Sequence, residues 1–184
     1  SSFFLLLLVF QFWKKNAEDI SWIKFPKNIL TKKNDYFYEW FSDGILNTCY
    51  NAVDKNILEG RGDQVAIYYD SPITNSKSKL TYNELKSKVE RFAGALNKYN
   101  ISKGDRVIVY MPMIPEAIIA VLAIARIGAV HSVVFGGFAA KELAVRIDDC
   151  SPKLIISASC GIEPGRIVEY KPLLDEAIKL SNHK

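Results

Sequence analysis

The polar and apolar positions of this chain change their period along its length, and the changes mark its elements. An unbroken apolar run, Phe-Phe-Leu-Leu-Leu-Leu-Val-Phe at 3–10, opens it. A membrane-spanning helix needs ~20 apolar residues, so the run is too short to cross a bilayer. It fits a signal-peptide core poorly, because no basic stretch precedes it and no small-residue cleavage site follows. Non-native sequence from a misread gene start is the preferred reading. Residue 1 is Ser, so a processed, truncated or partial product is expected. Residues 12–40 are dense in aromatics and lysine, from Phe12 and Trp13 to Trp40. They are read as an extended arm laying aromatic anchors on a larger body. Glu18, Asp19, Asp35 and Glu39 dilute the alternative, single-strand nucleic-acid binding by stacking.

Cys49, Val53 and Ile57 recur at helical spacing, predicting a helix over 47–58. A turn at 60–63 follows. Its Arg61-Gly62-Asp63 is read as a loop before a strand, not as an adhesion signal. A strand is expected at 65–69, then turn material to 79 and a return strand at 79–81. Thr81 and Glu84 stand at capping-box spacing before a helix predicted over 82–99, with Leu85, Val89, Phe92 and Leu96 on its core stripe. Strand 106–110, helix 116–127, strand 130–135, helix 139–148 and strand 153–157 succeed one another, with a final helix at 172–180. The helix at 116–127 is apolar on nearly all sides and is expected to be buried. Such alternation predicts an α/β fold with a mostly parallel sheet, right-handed crossovers and helices on both faces. The expected organisation is a doubtful apolar stretch at 1–11, an arm and first helix at 12–60, and an incomplete α/β domain at 61–184.

Composition narrows the function. Twenty-four Lys and Arg against 20 Asp and Glu leave +4, spread along the chain, which argues against a nucleic-acid surface. Cys49, Cys150 and Cys160 form no CxxC or metal spacing and read as reduced thiols. With two histidines, a His-rich metal centre is excluded. His131 is read as an ordinary strand histidine.

The strongest local feature is Phe135-Gly136-Gly137-Phe138 between a strand and a helix. Ligands of open α/β sheets bind beyond the carboxyl ends of the strands. Glycines there admit a ligand to the backbone, and a helix start favours phosphate. A turn whose glycines serve backbone geometry alone explains the same residues. The loop Gly161-Ile162-Glu163-Pro164-Gly165-Arg166 follows the next strand and would bring Arg166, a two-pronged phosphate ligand, to the same edge. GxGxxG, GxxxxGK[ST], GxSxG and HExxH are all absent from the sequence. No catalytic residue and no metal ligand is therefore assigned within the chain.

The stretch 125–138, Ala-Arg-Ile-Gly-Ala-Val-His-Ser-Val-Val-Phe-Gly-Gly-Phe, resembles a signature of the short-chain AMP-forming acyl-CoA synthetases, the acetyl- and propionyl-CoA synthetases of the adenylate-forming superfamily. Phe12-Trp13 and Trp22, Leu80-Thr81-Tyr82-Asn83-Glu84-Leu85, Gly104-Asp105-Arg106-Val107 and Tyr110-Met111-Pro112 are similar to that family in the same order. The resemblance covers 12–180. It implies the N-terminal part of an enzyme that joins a short carboxylic acid to CoA through an acyl-adenylate, using ATP and Mg. On that reading Phe135, Gly136 and Gly137 pack on the CoA nucleotide and Arg166 meets its phosphates. Glu163, Pro164 and Gly165 of the same loop join the CoA-binding set.

The Glu at 163 looks like the propionyl branch, because acetyl-type members often carry Arg there. The family's ATP loop, carboxylate pocket and catalytic lysine would lie downstream. The chain alone is therefore expected to lack adenylation machinery, to hold no ligand tightly and to be poorly soluble. Small-molecule substrates are expected, with no nucleic acid, no membrane span, and a cytoplasmic or mitochondrial matrix location. A non-catalytic CoA- or nucleotide-binding module, or a pseudoenzyme subunit, is the alternative.

Overall fold

The computed structural model describes residues 2–183, with side chains from Leu8 onward. The expectations for Ser1, for Lys184 and for the side chains at 2–7 lie outside the described residues.

The chain opens with α1 (Ser2–Ala17), which crosses the junction expected between the apolar run and the arm. Leu, Phe, Lys and Ala are adequate helix formers with no Pro or Gly between them. Beyond it, strands β1 (Leu30–Lys32) and β2 (Tyr38–Trp40) pair antiparallel. The expected extended arm is thus a helix and a small hairpin. Its aromatics pack chiefly on one another: Trp13 on Trp40 at 5.4 Å and Trp22 on Phe41 at 5.5 Å. Trp22 Nε1 also donates to Ala17 O at 2.7 Å, closing the end of α1.

The helix predicted over 47–58 is present as successive wide turns, π-helical at Tyr50–Asp54 and Ile57–Arg61. Its Cys49 and Val53 are fully buried, as the spacing predicts. The helix kinks at Gly60, where the expected turn begins and which takes φ +83°, a non-helical conformation that costs a glycine little. Antiparallel strands β3 (Val65–Ser71) and β4 (Ser76–Thr81) then form a hairpin. Most of the expected turn material is therefore strand, because backbone pairing overrides its polar composition.

Helix α2 (Tyr82–Lys98) begins at a complete capping box. Glu84 N donates to Thr81 Oγ1 at 3.2 Å, and Thr81 N donates to Glu84 Oε2 at 2.8 Å. Strand β5 (Arg106–Met111), α3 (Pro115–Arg126), β6 (Val130–Phe135), α4 (Ala140–Cys150) and β7 (Leu154–Ser157) follow as the alternation predicts. β5 lies between β6 and β7, parallel to both. The chain closes with an antiparallel hairpin, β8 (Cys160–Glu163) and β9 (Arg166–Glu169), and with α5 (Tyr170–Leu180).

Both faces of the parallel sheet are covered. Val107 and Val109 of β5 pack with α2 and α3, while Ile108 and Tyr110 pack with α4 and α5. This alternation follows from the two-residue period of a strand. Helix α3 is buried along Ile119, Ala120, Ala123 and Ile124, but Ile118 is exposed, so the burial is one-sided. None of the described helices is long and apolar enough to cross a membrane.

Candidate functional site

Strand β6 delivers Phe135 to the carboxyl edge of the sheet, and the chain turns through Gly136 and Gly137 into α4. Gly137 has φ +91°, where a side chain would be strained. Phe135 is 69% exposed, and its ring meets that of Phe138 at 5.9 Å. The Arg146 guanidinium lies 4.7 Å from the Phe138 ring centre, a cation–π contact that steadies this side chain.

The second loop is not the flexible connection that its glycines suggest. It is the tip of the β8–β9 hairpin, where Pro164 presets one turn dihedral and Gly165 supplies φ +74°. That combination suits a type II turn. Across the turn, Arg166 Nε donates to Glu163 Oε2 at 2.7 Å and the two side chains form an ion pair. The Arg166 side chain is still 70% exposed, so most of its donor fork faces outward. A Cβ built on Gly137 would lie 3.9 Å from Glu163 Oε1. The structure thus brings both predicted loops to one place: Phe135, Gly136 and Gly137 on one side, Glu163, Pro164, Gly165 and Arg166 on the other.

Tyr170, which sequence reasoning missed, joins them. It is the first residue of α5, is buried, and stacks on Tyr110 of β5 with ring centres 5.0 Å apart. A Cβ on Gly136 or on Gly161 would collide with the Tyr170 hydroxyl, and each would lie 2.8 Å from its Cζ. Both glycines are therefore required by close approach. Tyr110 Oη donates to Phe138 O at 3.0 Å, pinning the start of α4 to the central strand. Burial pushes the Tyr110 phenol above its ordinary value. Burial does the same for Tyr170, helped by Tyr110 and the Glu163 carboxylate. Both phenols stay protonated near neutrality. The signal for Tyr170 was the pairing of Gly136 with Gly161, which sequence reading ties to no third residue.

His131 stands exposed at the start of β6, away from the Gly-Gly loop at its other end. The three cysteines are free thiols. Among the described residues, no group of three or more His, Cys, Asp or Glu could hold a metal ion.

A second polar cluster lies on the other side of the sheet. Arg126, at the end of α3, makes two bonds to Asp54 at 2.7 and 3.1 Å and one to Glu90 at 2.8 Å. Burial would raise the Asp54 carboxyl, but Arg126 and Lys86 outweigh it and hold it below the ordinary carboxylate value. Asn47 Nδ2 donates to Ala125 O and Arg126 O at 3.2 and 3.1 Å, capping α3 from outside. Asn47, Asp54 and Arg126 border a cavity of about 460 Å³ with Ser21, Trp22, Ile23 and Tyr50. Its charged wall is already paired within the protein, so the cluster joins the N-terminal segment to the sheet domain.

The fold and site define an α/β protein with two glycine-containing loops at the carboxyl edge of its sheet, the edge at which open α/β sheets bind ligands. Residues 55–181 match the family described as AMP-binding enzyme, and residues 10–52 match the acetyl-coenzyme A synthetase N-terminus. The chain belongs to the AMP-binding enzyme family. It is 54% identical over 174 residues to the Bos taurus mitochondrial acyl-CoA synthetase short-chain family member 3, covering 95% of this chain and 25% of that protein. Its identity to the Homo sapiens counterpart is 55% over the same length, with the same coverage. The Streptomyces avermitilis acetyl-coenzyme A synthetase is 47% identical over 167 residues, 91% of this chain and 26% of that protein. The chain thus spans about a quarter of the length of the curated relatives it matches.

Proposed function

We propose that this chain is the N-terminal part of an AMP-forming ligase that joins acetate or propionate to CoA. The observation that carries the reading is the joint match to an acetyl-CoA synthetase N-terminus and to the AMP-binding family, with relatives about half identical named as acyl-CoA synthetases. In the complete protein the acid's carboxylate oxygen attacks the α-phosphate of ATP, held with Mg. An acyl-adenylate forms and pyrophosphate leaves. The CoA thiolate then attacks the acyl carbon, and AMP departs with the oxygen. Adenylation replaces a poor leaving group by a good one.

The role of this chain is to form part of the CoA surface. Phe135, Gly136 and Gly137 give the nucleotide an apolar face and close backbone access. Pro164 and Gly165 present Arg166, whose outward donors meet a phosphate. Glu163 orients Arg166 and sets a negative charge beside the anion. Three coarse features support this: proximity of the two loops, exposure of Phe135 and exposure of Arg166. Propionate is the preferred acid, because Glu163 looks like that branch. A mitochondrial location accords with the names of several relatives.

The test is pyrophosphate exchange and acyl-CoA formation by the full-length protein with acetate and propionate. Acid-dependent exchange and an acyl-CoA product are expected, whereas no exchange with either acid overturns the reading. The present chain assayed alone is expected to show no exchange. For the site, Arg166→Ala should raise the CoA KM about 10- to 100-fold, since a hydrogen bond to a charged group is worth ~1.5–3 kcal/mol. Pyrophosphate exchange, which needs no CoA, should persist. A CoA constant that stays put while the ATP constant moves would reassign the hairpin.

A further inference from the structure

Tyr170 is 3% exposed, yet among the described residues its hydroxyl has no hydrogen-bond partner. Its neighbour Tyr110 shows what a satisfied buried tyrosine does here, donating to Phe138 O at 3.0 Å. Buried tyrosines ordinarily find such a partner, because an unpaired hydroxyl away from water is costly. Among the described residues, no fully enclosed side-chain nitrogen or oxygen lacks a partner. The Tyr170 oxygen must therefore keep a small opening to the outside. That opening lies where the two candidate loops meet, since the oxygen rests against Gly136 on one side and Gly161 on the other. Two glycines are thus placed so that one hydroxyl can stand between the loops without a protein partner.

We infer that the Tyr170 hydroxyl donates a hydrogen bond to an acceptor oxygen of the ligand bound between the Gly136-Gly137 loop and the β8–β9 hairpin. The inference rests on the proposal that this ligand is CoA. The phenol is suited to the role: burial, Tyr110 and Glu163 all oppose its ionisation, so it keeps its proton. Its ring is held on Tyr110 before the ligand arrives, so little side-chain freedom remains to be lost on binding. CoA offers two kinds of acceptor oxygen, the phosphates of its nucleotide end and the amide carbonyls of its pantetheine arm. Both have the same acceptor chemistry, and the experiment separates them.

The experiment is steady-state kinetics of the full-length protein carrying Tyr170→Phe, with CoA, dephospho-CoA and 4′-phosphopantetheine as acceptors. Phe retains the ring that fills the space between the glycines and removes only the oxygen. The CoA KM should rise about 3- to 10-fold, the range of one neutral hydrogen bond. The ATP and acid constants should stay near the parent's, and so should the melting temperature. If the rise persists with all three acceptors, the partner lies on the part they share, the pantetheine arm with its 4′-phosphate. If it disappears with both dephospho-CoA and 4′-phosphopantetheine, neither of which carries the 3′-phosphate, the partner belongs to the 3′-phosphate. Either outcome supports the inference. An unchanged CoA KM in Tyr170→Phe overturns it, whether or not the protein is less stable, and leaves Tyr170 as a packing wedge. Arg166→Ala, assayed alongside, tells the two failures apart. If Arg166→Ala raises the CoA KM and Tyr170→Phe does not, only the tyrosine is wrongly assigned. If neither variant moves it, the CoA site itself is misplaced.

Discussion

Arg166 finds its countercharge three residues back, on Glu163, and that pairing shapes what a phosphate would meet. The pair is largely in solvent, where such contacts are worth about 0.2–1 kcal/mol. An arriving phosphate can therefore share or displace the carboxylate at little cost. Glu163→Gln, which removes the competing charge and keeps the shape, should lower the CoA KM about 2- to 5-fold at low salt. Kinetics at two ionic strengths check this, because the gain should shrink as salt screens the charges.

Asp54 is the opposite case, 8% exposed and bonded twice by Arg126. Removing it leaves Arg126 with Glu90 as its remaining carboxylate, so Asp54→Ala should cost about 1–3 kcal/mol. The Asp54 carboxyl titrates below its unfolded value. Its stabilising contribution is then complete above about pH 4 and is lost as pH falls through the folded value. Denaturant melts from pH 3 to 7 should show this acid limb in the parent and a weaker one in the variant.

At the scale of elements, helix starts and close approaches decide the geometry. The capping box of α2 satisfies backbone groups on both sides of the cap, and Thr81→Ala should cost about 1 kcal/mol. Gly136 has no positive φ to protect, so its constraint is purely the ring of Tyr170. Gly136→Ala should destabilise by about 1–3 kcal/mol through overpacking. In a Tyr170→Leu background, the same substitution should cost much less, because the colliding ring is gone. A double-mutant cycle read by thermal melting measures that coupling. The capping box was legible from Thr81 and Glu84 alone, because its spacing is local. Tyr170 was not, because its contacts join residues 136 and 161, which are 25 positions apart.

The whole molecule presents an open edge. Among the described residues β6 is one of the two outer strands of the three-stranded sheet, and its Val133 is 61% exposed beside the exposed Phe135. Unpaired strand edges with apolar side chains invite association. The isolated chain should bind an apolar dye and sediment as a mixture of species. Val133→Lys should shift it toward monomer, since a charge on an edge strand opposes pairing.

Periodicity and cap chemistry were enough to place the alternating elements from α2 to β7 near their observed bounds. Their signals reside in neighbouring residues: a 3.6-residue stripe, a two-residue alternation, a Thr three positions before a Glu. The same local signals misjudged residues 12–40 and 71–79. In the first, Trp13 and Trp22 pack within the arm; in the second, strand pairing decides the backbone of a polar stretch. The residues Phe135 to Gly137 and Glu163 to Arg166 were visible as glycine-containing loops after strands. Their meeting was decided only by the tertiary structure, where one buried tyrosine fits between Gly136 and Gly161. The pairing of Arg166 with Glu163 likewise depends on the hairpin turn that folds residue 166 back beside residue 163. Contacts of that kind carry no period along the chain, because they are made by surfaces that exist only once the helices and strands have packed.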